Sequence, residues 1–235
     1  YVTLLNQLGR HEEAMELIEG RKFHPWEGGE GKVPAQYQLA RVELVKGCLA
    51  RKEYDRALKL IEECYVYPHN LGEGKLPGAQ ENDFNYYKAR ILQETGHADE
   101  ARALYEAASV GNSQPAAAIY YNDQKPDKIF YQGLALLRLG RETEARSRFN
   151  NLISYGEKHL YDVFKMDYFA VSLPDLQIWE DDMDRKNVIH CNYLMGLGYL
   201  GLGDKTKAEK YFAAAAELDN NHQGVQVHRM MLNEK

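Results

Sequence analysis

Apolar residues recur along the chain at helical spacing, in blocks that come in pairs. Ala101, Leu104, Tyr105 and Ala108 fall on one helical face, and Ala208, Tyr211, Phe212 and Ala215 repeat the pattern. Before each block stand a Gly and a short polar turn, and before each Gly runs a stretch of about three turns with its own apolar stripe. The stretches 92–101, 136–145, 199–208 and 5–14 all pass from a helix end through Gly96, Gly140, Gly203 or Gly9 to an Ala, and 48–57 is a weaker copy with Lys52 where the others have Gly. Gly ends a helix because it enters the left-handed region without a Cβ penalty. Ala opens the next helix where two backbones come too close for a larger side chain. The pattern predicts an all-α chain of about eleven or twelve helices in antiparallel pairs, stacked as a repeat array.

The key alanines are Ala14, Ala57, Ala101, Ala145 and Ala208, at separations of 43, 44, 44 and 63 residues. The best copy, Ile189 to Asn221, carries Gly196, Tyr199, Gly203, Ala208, Phe212 and Ala215. Other copies carry Gly133, Gly140, Ala145 and Phe149, or Ala89, Gly96, Ala101, Tyr105 and Ala108. These positions resemble the small and large packing positions of the tetratricopeptide repeat, which implies a tetratricopeptide-like α-solenoid. The family's repeat is about 34 residues, so every junction holds extra chain. The expected repeats are 1–21, 38–66, 82–110, 126–154 and 189–221, with ordered insertions 22–37, 67–81, 111–125 and 155–188 and a capping helix over 222–233, in one domain 1–235. Trp26, Tyr65, Tyr67, Tyr120, Tyr121, Tyr168, Phe169 and Trp179 fall in or beside the insertions, and such aromatics argue for packed loops.

Two insertions share a run: Gly28 to Pro34 reads GGEGKVP and Leu71 to Pro77 reads LGEGKLP. A phosphate-binding loop needs Gly, four residues, then Gly-Lys-Ser/Thr. Here Trp26 and His69 stand at the first Gly position and Val33 and Leu76 follow the Lys, so nucleotide binding is excluded. Stacked repeats bring equivalent insertions to one edge, and alike sequences are expected to follow alike backbone paths. His24, Trp26, Glu27, Glu30 and Lys32 in the first loop and His69, Asn70, Glu73 and Lys75 in the second are the candidate residues of that edge. An aromatic face beside carboxylates and amides suits a carbohydrate or a docked protein surface.

Net charge is −6 with 27% charged residues, without the basic stripe of a nucleic-acid-binding protein. No apolar run is long enough to span a bilayer. Cys48, Cys64 and Cys191 form no CxxC pair and read as buried thiols in a reducing compartment, here the cytoplasm. Glu180, Asp181, Asp182 and Asp184 lack the spacing and Gly of a calcium loop and read as an acidic turn before a helix. His190 and Cys191 read as packing residues; no HExxH or GxSxG motif occurs. No catalytic residue, metal site or cofactor is expected. Opening at Tyr1 in the middle of a helical pattern, without Met, the chain reads as a fragment of a longer protein.

In the tetratricopeptide pattern the fifth and ninth positions of each first helix face the inner groove. Here these are Val42, Tyr86, Phe130 and Tyr193, then Lys46, Arg90, Leu134 and Leu197. The family's Lys/Asn clamp for a terminal carboxylate is absent. An aromatic groove of this kind receives a peptide or is filled by the protein's own insertions. A second resemblance covers nearly the whole chain. The segments FHPWEGGEGKVPAQY, YYNDQKPDKIFYQGLALLRLGR, FKMDYFAVSLPDL and HCNYLMGLGYLGLGD resemble the C-terminal repeat region of large bacterial proteins, in which a galactose-mutarotase-like β-sandwich of unknown function precedes the repeats. This resemblance implies a carbohydrate-related neighbour. The expected function is a non-catalytic scaffold that binds its own N-terminal domain or another protein; the alternative is a region lending loop residues to a sugar site.

Overall fold

The computed structural model describes residues 1–26, 29–118, 123–163 and 182–233. Among them are eleven α-helices and no strand. They form two compact units, 1–108 and 109–235. Glu27, Tyr120, Tyr121, Tyr168, Phe169, Trp179, Glu180 and Asp181 lie outside the described residues.

The first unit holds α1 (Val2–Gln7), α2 (His11–Glu19), α3 (Lys32–Ala50), α4 (Tyr54–Glu63), α5 (Asn82–Glu94) and α6 (Ala98–Ser109), the last ending at the unit boundary. Each helix from α1 to α4 packs on the next, and α3 also touches α1 and α5. The pair α5–α6 is closed by the Tyr105 hydroxyl donating to Gln93 Oε1 at 2.7 Å and by Tyr86 against Tyr105. The second unit holds α7 (Pro126–Arg138), α8 (Glu142–His159), α9 (Met183–Gly201), α10 (Lys205–Leu218) and α11 (Gln223–Met230), again packed in sequence, with α9 touching α7 and α11. Antiparallel pairs with first helices side by side are the tetratricopeptide-like architecture.

The five turns between paired helices close alike. Gly9, Gly96, Gly140 and Gly203 have φ between 70° and 86°, and the next N–H reaches back five residues, as from Arg10 to Leu5 O (2.8 Å) and Arg141 to Leu136 O (2.9 Å). That is the Schellman closure, and it satisfies carbonyls the helix end leaves open. Lys52 takes the same conformation, φ 60°, with Glu53 N–H donating to Cys48 O at 2.9 Å. The turn geometry thus prevails over the residue that fits it poorly. The alanines that follow, Ala14, Ala57, Ala101, Ala145 and Ala208, are all buried.

Packing in the second unit is closest around Phe149. A Cβ on Gly133 of α7 or on Gly201 of α9 would overlap its ring, and one on Gly198 would stand 2.7 Å from its carbonyl oxygen. Phe212 meets Gly196 in the same way, 2.5 Å from a Cβ there. In the first unit a buried charge sits at the corresponding seam. Arg41 of α3 is 2% exposed; its Nη2 donates to Glu19 Oε1 at 2.6 Å and its Nε to Glu63 Oε2 at 2.8 Å, with the guanidinium 3.5 Å over the Tyr37 ring. Glu19 and Glu63 are the last residues of α2 and α4, so one side chain ties the two helix ends from which the duplicated loops depart.

Some boundaries differ from those expected. α3 starts at Lys32, inside the stretch expected to be loop until 37, and α8 runs to His159 rather than 154. In α3 the apolar pattern resumes at Val33, which packs with Ile18, Tyr37 and Leu71, so the helix is nucleated as early as Pro34 allows.

Two substitutions test these turns and seams. Lys52→Gly should raise unfolding stability by about 0.5–1 kcal/mol, since it removes a left-handed penalty at an exposed site. Gly198→Ala should lower it by about 2 kcal/mol or more, because a Cβ there meets the Phe149 carbonyl as well as the Ile153 side chain, and the backbone oxygen cannot swing away. Urea unfolding of the three proteins measures both.

Candidate functional site

The loops after α2 and α4 are joined to each other. Phe23 N–H donates to Asn70 O at 2.8 Å, and the Asn70 side-chain amide donates to Ile18 O at 2.8 Å, in the last turn of α2, and to Arg21 O at 3.0 Å, just past it. Glu73 reaches the other end of the first loop, where its Oε2 accepts from Gly31 N–H at 2.7 Å. Gly31 is the N-cap of α3, so a carboxylate sits where the helix dipole favours negative charge. Leu71, buried in the turn His69–Leu71, fills the space between Ile18, Val33 and Tyr37, with Phe23 and Tyr67 packed around them. Gly72 has φ 78°, and a Cβ there would lie 2.5 Å from Phe23 O. Lys75 pairs with Glu81 and donates to Tyr65 O at 3.1 Å.

The eight candidates of this edge that fall among the described residues therefore separate. Asn70 and Glu73 hold the two loops together, and Lys75 ties the second loop to itself. His24, Trp26, Glu30, Lys32 and His69 are exposed. His24 and His69 each adjoin a residue of the Phe23–Asn70 bond, so they share one stretch of surface. Trp26 is 51% exposed, and its indole covers Gly29, where any Cβ would overlap the ring.

Equal sequence does not give these loops equal backbones. In the first, Lys32-Val33-Pro34 is already the first turn of α3, with Val33 9% exposed. In the second, Leu76 is 62% exposed and α5 begins only at Asn82. The reason lies one residue past the shared run. Pro77 is followed by Gly78, φ 81°, and Ala79 N–H donates to Leu76 O at 3.2 Å, a Pro-Gly turn of type II. Pro34 is followed by Ala35, and the helix continues. The left-handed glycine also shifts, from Gly31 in one copy to Gly72 in the other, a position aligned with Gly29.

The groove residues are covered. Val42, Tyr86, Phe130 and Tyr193 are buried, Lys46 pairs with Glu43 at 2.6 Å, and Arg90 lies 6.0 Å over the Tyr86 ring. In the second unit the cover is α11. The Tyr193 hydroxyl bonds His228 Nδ1 at 3.1 Å, His222 lies against the Tyr193 ring, and His228 meets Phe130 edge-on at 5.6 Å. Of the two outcomes expected for an aromatic groove, filling is seen here, by the C-terminal helix rather than by a long insertion.

His190 also has a definite task. Its Nε2–H donates to Ala116 O at 2.8 Å, and its ring stands edge-on to Tyr155. Burial pushes its pKa down to about 4; the Ala116 carbonyl and Asp123 oppose that fall, and His222 and Lys125 add to it. Asp182 caps α9 by accepting from Arg185 N–H at 2.9 Å. Among the described residues no group of His, Cys, Asp and Glu is placed to hold a metal ion, and no helix is long and apolar enough to cross a membrane. Sequence reasoning missed Arg41, Gln132 and Asn151, whose contacts depend on helices distant in the chain.

Compared with known proteins, residues 189–222 match the tetratricopeptide repeat. These residues span most of α9, all of α10 and the link to α11, the hairpin in which Gly196 receives Phe212. No solved structure matches the chain.

Asn70→Ala should cost about 1–3 kcal/mol, as it removes the two side-chain hydrogen bonds that tie the second loop to the end of α2, while Trp26→Ala should change stability by less than about 0.5 kcal/mol; thermal unfolding separates the two. His190 titrates near 4 in the folded chain and near 6.5 when unfolded, so its contribution is complete above pH 6.5 and is lost as pH falls toward 4. Wild type should lose up to about 3 kcal/mol more than His190→Gln across that window, measured as the urea midpoint at pH 7, 5.5 and 4.5.

Proposed function

We infer that the chain is a non-catalytic interaction scaffold, and that its docking edge is the joined pair of loops in the first unit. One observation carries this: a half-exposed Trp26 beside exposed His24 and His69, on loops that Asn70, Glu73 and Arg41 hold in place. Rigid aromatic residues in an ordered surface are the usual anchors of protein interfaces, because little side-chain entropy is lost on contact. The tetratricopeptide repeat at 189–222 supports a scaffold, since such repeats commonly mediate protein–protein contacts. The proposed partner is a neighbouring domain of a longer polypeptide, of the carbohydrate-related β-sandwich class implied by the sequence resemblance, or another protein. Cys48, Cys64 and Cys191 are buried within the helix pairs, which supports a reducing compartment such as the cytoplasm.

A second reading has its own observation. An indole face flanked by imidazoles and by Glu30 and Lys32 has the composition of a sugar-binding surface, and the same loops would then complete a carbohydrate site.

The two readings part on one variant. His24→Ala, Trp26→Ala and His69→Ala together should leave the thermal midpoint within about 2 °C, since none of these residues is buried. With the β-sandwich domain supplied as a separate polypeptide, the variant should bind at least about tenfold more weakly than wild type, as expected on removing an aromatic anchor. Unchanged association together with lost quenching of Trp26 fluorescence by oligosaccharide favours the sugar site. Neither loss rejects the docking edge.

A further inference from the structure

Residues 110–118, between α6 and α7, run without regular secondary structure across the second unit. Three side chains from three helices hold this strap, and each donates to a main-chain carbonyl. Gln132 Nε2 of α7 donates to Asn112 O at 3.1 Å, Asn151 Nδ2 of α8 to Ser113 O at 3.1 Å, and His190 Nε2 of α9 to Ala116 O at 2.8 Å. No part of that recognition requires a particular side chain on the strap. The strap's own side chains are short: Ser113, Pro115, Ala116, Ala117 and Ala118 are half-buried, and Asn112 and Gln114 are exposed.

Two further features mark the strap as an imperfect occupant. Gln132 is fully buried, yet its Oε1 finds no donor. A chain carrying an N–H to that atom would make a bond the strap does not make. Ala118, at the strap's end, is held at φ 52°, a region unfavourable for a residue with a Cβ. The helices below do not depend on the strap for their contact, because Phe149 between Gly133, Gly198 and Gly201 fixes α7, α8 and α9.

We propose that Gln132, Asn151 and His190 form a main-chain-reading track for an extended peptide of small residues and proline, and that residues 112–116 occupy it in cis as a built-in competitor. The track belongs to the second unit, and the docking edge to the first. A tethered strap competes at an effective concentration near millimolar, so a partner gains access only when the strap lifts. Replacing it should therefore expose the site.

The test uses the 235-residue chain and the fluorescein-labelled peptide Asn-Ser-Gln-Pro-Ala-Ala-Ala, followed by anisotropy. Residues 112–117 are exchanged for an equally long Gly-Ser run, which keeps the carbonyls but loses more conformational freedom on being held extended than the Pro-Ala strap does; with this weaker competitor in place the peptide should bind at least about tenfold more tightly than to the wild type. In that background Asn151→Ala should weaken binding about fivefold, the worth of one lost hydrogen bond. In the otherwise unaltered chain the same Asn151→Ala should speed amide hydrogen exchange in 110–118 while α7–α9 stay protected. Peptide binding that is equal with and without the strap, or indifferent to Asn151, overturns the proposal. So does loss of helical circular dichroism in the Gly-Ser variant, because the strap would then be a structural member rather than a displaceable one.

Discussion

In the second unit the helix backbones meet where no Cβ fits, and Phe149 fills the notch. Its ring lies against Gly133 of α7 and Gly201 of α9, and its own carbonyl lies against Gly198. This contact sets both the depth and the register of three helices, because a shift of either glycine helix would drive a larger side chain into the ring. Everything the unit presents follows from that register. Gln132 is the neighbour of Gly133, Asn151 lies two residues beyond Phe149, and His190 sits on the helix that carries Gly198 and Gly201. Fixing one ring fixes the spacing of the three donors.

The first unit solves the same problem with a charge. Arg41 is too costly to bury alone, and breaking such an arrangement typically costs about 3–5 kcal/mol because the remaining charge is left unpaired. Glu19 and Glu63 satisfy it only if α2 and α4 end at the right height along α3. Those ends are where the two loops begin, so the buried charge also selects where each loop emerges. Asn70 and Glu73 then join loops already delivered to one place. The exposed face of Trp26 and His69 is the outcome of this sequence of constraints.

How much of this the residues announced depended on its range. Paired helices, the Schellman turns and the five buried alanines were legible, because each is specified within about ten residues by Gly, Ala and a 3.6-residue period. Lys52 was legible as an exception, and the fold imposed the same turn on it. The duplicated loops were legible as a repeat and misleading as a structure: the deciding residues, Ala35 and Gly78, lie just outside the shared run. Of the candidate edge, the exposed members could be named but not separated from Asn70 and Glu73, whose partners are tens of residues away, or from Lys75, which bonds within its own loop. Gln132 and Asn151 gave no signal, since a side-chain amide on a helix looks alike whether it meets solvent or a carbonyl brought there by tertiary packing.

Long insertions create an accounting demand that compact repeats avoid. A short connection carries the chain from one helix directly to the next, whereas a long one leaves carbonyls at the end of each second helix without a successor. Side-chain donors from the first helix of the same pair answer them. Gln38 donates to Cys64 O at 3.2 Å, Asn82 to Ala108 O at 2.8 Å and Arg185 to Leu218 O at 2.5 Å. Asn70 does the same for α2 from within a loop, and Asn187 for the end of α8, donating to His159 O at 2.7 Å. The donors at 132, 151 and 190 extend this habit from helix ends to an insertion itself. A scaffold that already satisfies stray carbonyls with side-chain amides needs only one more such row to hold an extended chain. The proposed peptide track and the tolerance of insertions thus rest on the same chemistry, a side-chain donor set against a main-chain carbonyl.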